Sequence, residues 1–190
     1  QQKGARSLAV PCDVIDPDQC ANLIATTTKE FGRLDILVNN AASTQKGDPL
    51  ELTPEQWRES IDVNLNGVFF CCQAAARHMV AKGSGHIVNI ASSSGIKGDE
   101  FMAPYAAAKA AVINLTRTLA ISWAVHNINV NCVAPGSVKA PKDQDGPLLQ
   151  QPGAPGDIAD AVLFFASDGS SGMTGETLPV RGAEWASAYS

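Results

Sequence analysis

Short apolar runs alternate with longer stretches of helical periodicity along nearly the whole chain, and this alternation constrains the fold more than any other feature. The strand candidates are Ser7 to Cys12, Leu34 to Asn39, His86 to Ile90, Ile128 to Val133 and Thr177 to Val180. The helix candidates are Asp16 to Phe31, a segment beginning at Thr53, Val63 to Val80, Ala103 to Val125 and Gly156 to Ala166. Repeated strand–helix units are typical of a parallel sheet with helices on both faces. The pattern therefore predicts a doubly wound α/β fold.

Size and charge narrow the class of protein further. A length of 190 residues suits one domain, so a single domain over residues 1–190 is expected. The formal charge of -5 gives no basic surface for nucleic acid or an anionic membrane. The most apolar long stretch is interrupted by Lys109 and Arg117, so no segment is predicted to span a membrane. The five cysteines form no C-x-x-C pair, which predicts neither a metal site nor a disulfide framework and favours a reducing, cytoplasmic setting.

Tyr105 and Lys109 are four residues apart in a predicted helix. Residues with this spacing lie on one face, so the phenol and the ammonium are predicted to be neighbours. A nearby cation favours the phenolate and is expected to lower the pKa of the tyrosine toward neutrality. The spacing alone also fits a surface tyrosine beside a solvated lysine.

Three predicted strands end in polar or glycine-containing turns. Ala91-Ser92-Ser93-Ser94-Gly95 follows one strand, Asn39-Asn40-Ala41-Ala42 ends another, and Pro135-Gly136 follows a third. Ligands of parallel α/β sheets bind at the carboxyl ends of the strands. Each turn alone could be an ordinary loop, but together they predict a cleft at one edge of the sheet.

These motifs, in this order and spacing, resemble the short-chain dehydrogenases/reductases. The resemblance rests on Asn39-Asn40-Ala41-Ala42, on Ser92 placed thirteen residues before Tyr105, on Tyr-x-x-x-Lys, on Pro135-Gly136 and on the late run Ala161 to Asp168. It extends from about Ser7 to Arg181. It implies a Rossmann-like fold and hydride transfer between NAD or NADP and a small-molecule carbonyl or secondary alcohol substrate.

The resemblance also implies roles for individual residues. Tyr105 matches the general acid/base, Lys109 the lysine that lowers its pKa and binds the nicotinamide ribose, and Ser92 the serine that holds the substrate oxygen. Asn64 matches the asparagine that anchors a water leading to the lysine. The cofactor contacts would be Asp13 and Val14 after the first strand, Asn40, Ala41, Tyr105, Lys109, and the segment Pro135, Gly136 and Val138 beside the nicotinamide.

The chain departs from the family pattern at several points. No Gly-x-Gly-x-x-Gly turn is present, so the printed chain is expected to begin at the third strand and to lack the first two strands and the pyrophosphate loop. Ala42 stands where glycine is usual, and Ala140 where a threonine often contacts the carboxamide. The loop from Lys139 to Gly153 is short for a substrate lid. Arg181 and Ala183 replace an aspartate and a glycine near the end.

Two other functions remain open from the sequence alone. The absent glycine turn also fits a non-catalytic fragment or binding protein that keeps the fold without the cofactor. A hydrolase using Ser92 as nucleophile is a further alternative, although the sequence has no G-x-S-x-G turn. In the family, the counterparts of the helices Val63 to Val80 and Ala103 to Val125 pack between subunits. The resemblance therefore implies a homodimer or homotetramer.

Overall fold

Four parallel strands form the central sheet of the computed structural model, which describes residues 4–138 and 153–180. The strands are β1 (Ile36–Asn39), β2 (Gly85–Ile90), β3 (Ile128–Pro135) and β4 (Thr177–Val180), and they lie side by side in that order. Each of them overlaps a strand predicted from the sequence. The α/β class with a parallel, Rossmann-like sheet is therefore confirmed.

Six α-helices connect and cover these strands in the described ranges. They are α1 (Pro17–Phe31), α2 (Pro54–Ile61), α3 (Gly67–Lys82), α4 (Ser94–Lys97), α5 (Ala103–Trp123) and α6 (Pro155–Phe165). Asp16 caps α1 through its side chain, and Thr53 forms a capping box with Gln56 at the start of α2. These side chains satisfy amide groups that a first helical turn leaves free. Both predicted helix starts are confirmed.

The prediction of a helix from Val63 needs a correction. A π-helical turn, Asp62–Asn66, joins α2 to α3, so the regular helix begins at Gly67. Hydrophobic periodicity does not distinguish a π turn from an α turn, because both place side chains around a similar helical axis. The sequence also does not predict the short helix α4, because the run Ser92-Ser93-Ser94-Gly95 at its start is typical of a turn.

The predicted strand from Ser7 to Cys12 is wrong. These residues are not assigned to a strand, although Val10 and Cys12 lie close to β1 across a cavity. A strand is defined by ladder hydrogen bonds to a neighbour, and no other described strand pairs with this segment. The segment is apolar, as a strand requires, but periodicity carries no information about whether a pairing partner is present.

Two apolar clusters lie on opposite faces of the sheet. The larger cluster packs α1, α3 and α5 against β2 and β3, where Ile87 and Val130 are fully buried. The smaller cluster packs α6 against Val88 and Val133 on the other face. Neighbouring strand residues point to opposite faces, so Ile87 and Val88 join different clusters.

In the described part of the chain, no helix is both long enough and apolar enough to cross a membrane.

Candidate active site

The carboxyl ends of β1, β2 and β3 meet at one edge of the sheet, as the sequence predicts. The ladder between β2 and β3 continues past the end of β2, because the Ala91 N–H donates to the Val133 carbonyl and the Ser93 N–H to the Pro135 carbonyl, both at 2.8 Å. The Gly136 N–H donates to the Val180 carbonyl at 3.0 Å. Ser92 lies between two residues that are anchored to the sheet, so its backbone is held in place.

The Ser92 side chain is oriented by the first turn of α4. Its Oγ accepts a hydrogen bond from the Ser94 N–H at 3.1 Å. This bond occupies one acceptor position of the hydroxyl and leaves its own O–H free to donate elsewhere. Ser92 is partly exposed, so a ligand at the edge of the sheet can receive that hydrogen bond.

Lys109 is almost completely buried, with 2% of its surface exposed. Its ammonium donates to the carbonyl of Ile90 at 2.8 Å, which links helix α5 to the end of β2. The Nζ atom also lies 5.5 Å from the centre of the Tyr105 ring. Burial disfavours the charged form and lowers the pKa of Lys109 to about 8. The predicted proximity of phenol and ammonium is confirmed.

The expected direction of the Tyr105 pKa is wrong for this structure. Burial of the phenol raises the pKa of Tyr105 above its ordinary value, the neighbouring Ser92 hydroxyl lowers it, and the Asp99 carboxylate raises it. Spacing along a helix shows which groups are neighbours, whereas the pKa also depends on how much water reaches them. Here the Lys109 ammonium is engaged with a backbone carbonyl, and desolvation dominates.

Helix α4 packs very closely on α5 beside Lys109. A Cβ atom added at Gly95 would lie 2.6 Å from the carbonyl carbon of Lys109 and 2.7 Å from the amide nitrogen of Ala110. Only glycine allows this approach, which sets the distance between the Ser92 segment and the helix carrying Tyr105. The sequence identifies Gly95 only as part of a polar turn and does not predict this contact.

Asn64 lies in the π-helical turn and is fully buried. Its side-chain amide donates to the Ser43 carbonyl at 2.7 Å and to the Ser60 carbonyl at 2.9 Å, and its oxygen accepts from the Ser43 N–H at 3.3 Å. Asn64 thereby ties the segment after β1 to the turn between α2 and α3. The water relay implied by the family resemblance stays a prediction.

The predicted adenosine contacts gather around a cavity of about 250 Å³. Val14, Asn40 and Ala41 line it together with side chains of α3 and β1. A Cβ atom at Gly67 would lie 2.8 Å from a methyl carbon of Val14, so glycine in α3 lets this segment approach the helix. The structure therefore brings three of the predicted cofactor residues to one place.

Asp13 lies just before this lining and is exposed to solvent. One of its carboxylate oxygens accepts from the Ile15 N–H at 3.2 Å, and its own N–H donates to the Gln19 side chain at 2.9 Å. These contacts form a tight turn ahead of α1. They leave the second carboxylate oxygen with no described side-chain or backbone donor.

Pro135 is the last residue of β3 and accepts from the Ser93 N–H, and Gly136 and Val138 follow it. Val138 is 41% exposed and forms an isolated bridge with Gly153. Ala140, the rest of the loop up to Pro152, and Arg181 to Ala183 lie outside the described residues. Among the residues that are described, no three His, Cys, Asp or Glu side chains are placed to hold a metal ion.

Comparison with known proteins decides the family. A family model described as enoyl-(acyl carrier protein) reductase matches residues 1–182. The chain belongs to the short-chain dehydrogenase/reductase family. It is 41% identical over 191 residues to the (2S)-[(R)-hydroxy(phenyl)methyl]succinyl-CoA dehydrogenase subunit of Thauera aromatica, covering 95% of this chain and 77% of that one. It is 38% identical to the 3-oxoacyl-[acyl-carrier-protein] reductase of Synechocystis, covering 94% of this chain and 76% of that one.

A solved structure of this short-chain dehydrogenase/reductase group has the same fold. The acetoin dehydrogenase of Salmonella typhimurium superposes with a TM-score of 0.86 at 34% identity, covering 95% of this chain and 76% of the other. These relatives establish the chain as an NAD(P)-dependent oxidoreductase of carbonyl and alcohol groups. They do not favour the alternative of a non-catalytic binding protein, nor that of a Ser92 hydrolase.

Proposed function

We propose that Tyr105, Ser92 and Lys109 form the catalytic centre of this oxidoreductase, with Tyr105 as general acid/base. The observation that carries this proposal is their convergence at the carboxyl edge of the sheet. Lys109 is fixed on the Ile90 carbonyl at 2.8 Å, and its ammonium lies 5.5 Å from the centre of the Tyr105 ring. Ser92 is fixed by the Ser94 amide. The end of β2, helix α4 and helix α5, which follow one another along the chain, are thus held in one arrangement.

The chemistry of these groups supports carbonyl reduction. The raised pKa of Tyr105 keeps the phenol protonated at neutral pH, so it can give its proton to a carbonyl oxygen. The Ser92 hydroxyl can donate to the same oxygen as negative charge develops on it. The Lys109 cation stabilises the phenolate left behind, through its position over the ring. In the direction of alcohol oxidation the phenolate accepts the proton, so that direction is favoured by higher pH.

NAD or NADP fits the same edge of the sheet. The cavity lined by Val14, Asn40 and Ala41 can take the adenosine end, with the free oxygen of Asp13 beside it. Pro135, Gly136 and Val138 lie at the nicotinamide end, next to Ser92. When bound, the cofactor gives or accepts the hydride. Asn64 holds the segment after β1 through its hydrogen bonds to Ser43. We propose that it anchors the water relay leading to Lys109 that the family resemblance implies.

We also propose a homodimer or homotetramer, in one Rossmann-like domain over residues 1–190, with a cytoplasmic location. Two apolar side chains, Ile121 in the last turn of α5 and Val125 just after the helix, are 79% and 83% exposed. Their burial against a second copy would remove them from water. The cysteines Cys12, Cys20, Cys71, Cys72 and Cys132 are free thiols, which fits a reducing compartment. Sedimentation at micromolar concentration that gives only monomers would contradict the assembly.

Cofactor binding and turnover test the proposed function. NADH and NADPH are titrated into the protein and binding is followed by nicotinamide fluorescence, and the same sample is assayed with a panel of ketones and secondary alcohols. We expect saturable binding of one cofactor and a change in absorbance at the nicotinamide band with at least one substrate. Lys109→Ala is expected to weaken cofactor binding and to slow turnover. Absence of binding and of turnover for both cofactors would overturn the proposal.

A further inference from the structure

The exposed carboxylate of Asp99 belongs to the hydrogen-bond network that supports Ser92. Asp99 follows α4, in the turn that leads to α5. Its Oδ2 accepts from the Ser94 hydroxyl at 3.2 Å, and its carbonyl accepts from the Met102 N–H at 3.4 Å. Asp99 therefore links the end of α4 to the start of α5.

The Ser94 side of this link reaches the catalytic serine. Ser94 is 8% exposed, and its N–H donates to Ser92 Oγ at 3.1 Å. The side chain of Ser94 is held by Asp99 while its amide holds Ser92, so a displacement of Ser94 moves the Ser92 hydroxyl. A catalytic group shifted by a fraction of an ångström loses much of its effect.

The same turn is also tied to the segment after β1. The Phe101 carbonyl accepts a hydrogen bond from the Gly47 N–H at 3.0 Å. The turn is thus supported from two directions, by α4 through Asp99 and by the 40–52 segment through Phe101. A support of this kind fixes the geometry of side chains placed on it.

We propose that Asp99 is a positioning residue of the Tyr105 site: its carboxylate holds Ser94, and through Ser94 the Ser92 hydroxyl, and it brings a negative charge into the hydrogen-bond network that supports Ser92. This inference rests on the proposed catalytic role of Tyr105. It assigns to Asp99 two separable effects, a hydrogen bond that orients Ser92 and a charge that opposes formation of the phenolate. In line with the second effect, the carboxylate raises the pKa of Tyr105.

Other charged groups surround α5, but Asp99 differs from them. Lys109 lies on the same helix, and the packed elements carry Glu55, Arg58 and Glu59 on α2, Asp62 in the π-helical turn, and Lys97 and Glu100 next to Asp99. Asp99 is the acidic group among them that raises the pKa of Tyr105. Glu100 is also exposed and directly adjacent in sequence. It therefore offers a matched control for a general change in surface charge.

The test measures the titration of Tyr105 directly. The chain has two tyrosines, so Tyr189→Phe leaves Tyr105 as the single one. In that background the protein is labelled with ¹³Cζ-tyrosine, and the resonance is followed against pH by NMR for the parent, Asp99→Asn and Glu100→Gln. Asparagine keeps an oxygen that accepts from Ser94 but removes the charge. We expect Asp99→Asn to move the midpoint to lower pH and Glu100→Gln to leave it unchanged.

Salt and kinetics separate the two effects. Because Asp99 is exposed, the difference between the parent and Asp99→Asn should shrink at high ionic strength. The pH profile of kcat should move to lower pH in Asp99→Asn. Asp99→Ala also removes the bond to Ser94, so its kcat should fall on the order of tenfold, with a smaller change in KM.

The outcomes distinguish this inference from the proposed function. An unchanged Tyr105 midpoint in Asp99→Asn, or an equal shift in Glu100→Gln, would overturn the role of Asp99 even if the protein turns over substrate normally. A shifted midpoint in a protein that shows no turnover would support the role of Asp99 and contradict the proposed function. Wild-type kcat in Asp99→Ala would refute the orienting hydrogen bond.

Discussion

The two halves of the sheet edge differ in how completely the described chain encloses them. On the catalytic side, Lys109 is 2% exposed and bonded to a strand carbonyl. On the cofactor side, Val38 of β1 is 41% exposed and lines the cavity of about 250 Å³. The residues around Tyr105 and Lys109 belong to α5 itself and to the strands on which α5 packs. The cofactor side is less completely covered, as the exposure of Val38 shows.

The largest expected effect is on catalysis. Tyr105→Phe removes the group that exchanges the proton but retains the ring, which is half-buried. Turnover should fall by about a thousandfold, in the range that a general acid/base contributes. Steady-state assays of nicotinamide absorbance measure the loss, and circular dichroism with thermal unfolding checks that the fold is kept. Unchanged turnover in a folded variant would refute the mechanism.

Removal of the buried ammonium should change how stability depends on pH. The pKa of Lys109 is lowered to about 8 in the folded protein, against 10.5 as its ordinary value. Between these values the unfolded chain binds more protons, so raising the pH favours the folded state. The cost of the buried charge, about 3 kcal/mol, is fully present below pH 8 and is relieved as the pH rises toward 10.5.

Denaturant unfolding of the wild type and of Lys109→Met across this range isolates the effect. The free energy of unfolding of the wild type should rise relative to that of the variant between pH 8 and pH 10.5. Thiols and other groups titrate in both proteins and largely cancel in the difference. A difference that is independent of pH would show that Lys109 does not carry the lowered pKa.

A smaller effect is expected from adding a methyl group at Gly95, where α4 packs directly against α5. In Gly95→Ala the new Cβ meets the backbone of α5 at 2.6 Å, and the two helices have to separate. Overpacking of this kind costs about 1–3 kcal/mol, and turnover should fall because Ser92 and Tyr105 move apart. The control is Gly156→Ala in α6, where no atom lies within 4 Å of the added carbon. Equal stability of the two variants would contradict the close contact.

The smallest expected effect is a loss of stability in β1, which is compared with the same substitution in β2. Val88 of β2 is fully buried, whereas Val38 of β1 is 41% exposed. Val88→Ala should cost about 1–3 kcal/mol of stability, and Val38→Ala less than about 0.5 kcal/mol. Urea unfolding measures both. A large loss in Val38→Ala would show that β1 is covered in solution and that the contrast between the two sides is smaller than the structure indicates.

The sequence predicted the parts of this molecule that depend on local pattern. The helix starts at Asp16 and Thr53, the strands ending at Asn39 and Ile90, and the proximity of Tyr105 to Lys109 all follow from periodicity and capping. The family motifs also placed Ser92 at the same edge as Tyr105.

Other features depend on the environment that distant segments create. The strand expected at Ser7 to Cys12 lacks a pairing neighbour in the described sheet, and pattern alone does not reveal that. The raised pKa of Tyr105 arises from burial, and the importance of Gly95 from the approach of a second helix. Asp99 looks like an ordinary turn residue until its bond to Ser94 is seen.

The bond between Lys109 and the Ile90 carbonyl has a consequence for folding. The ammonium leaves water only when α5 docks on the end of β2, and an undocked helix would leave it solvated. A folding intermediate that contains the helix but not the docked sheet would therefore lack the arrangement of Ser92 and Tyr105. Docking of α5 buries Lys109 and also brings Tyr105 to the end of β2, so molecules in which α5 is not docked should contribute no activity.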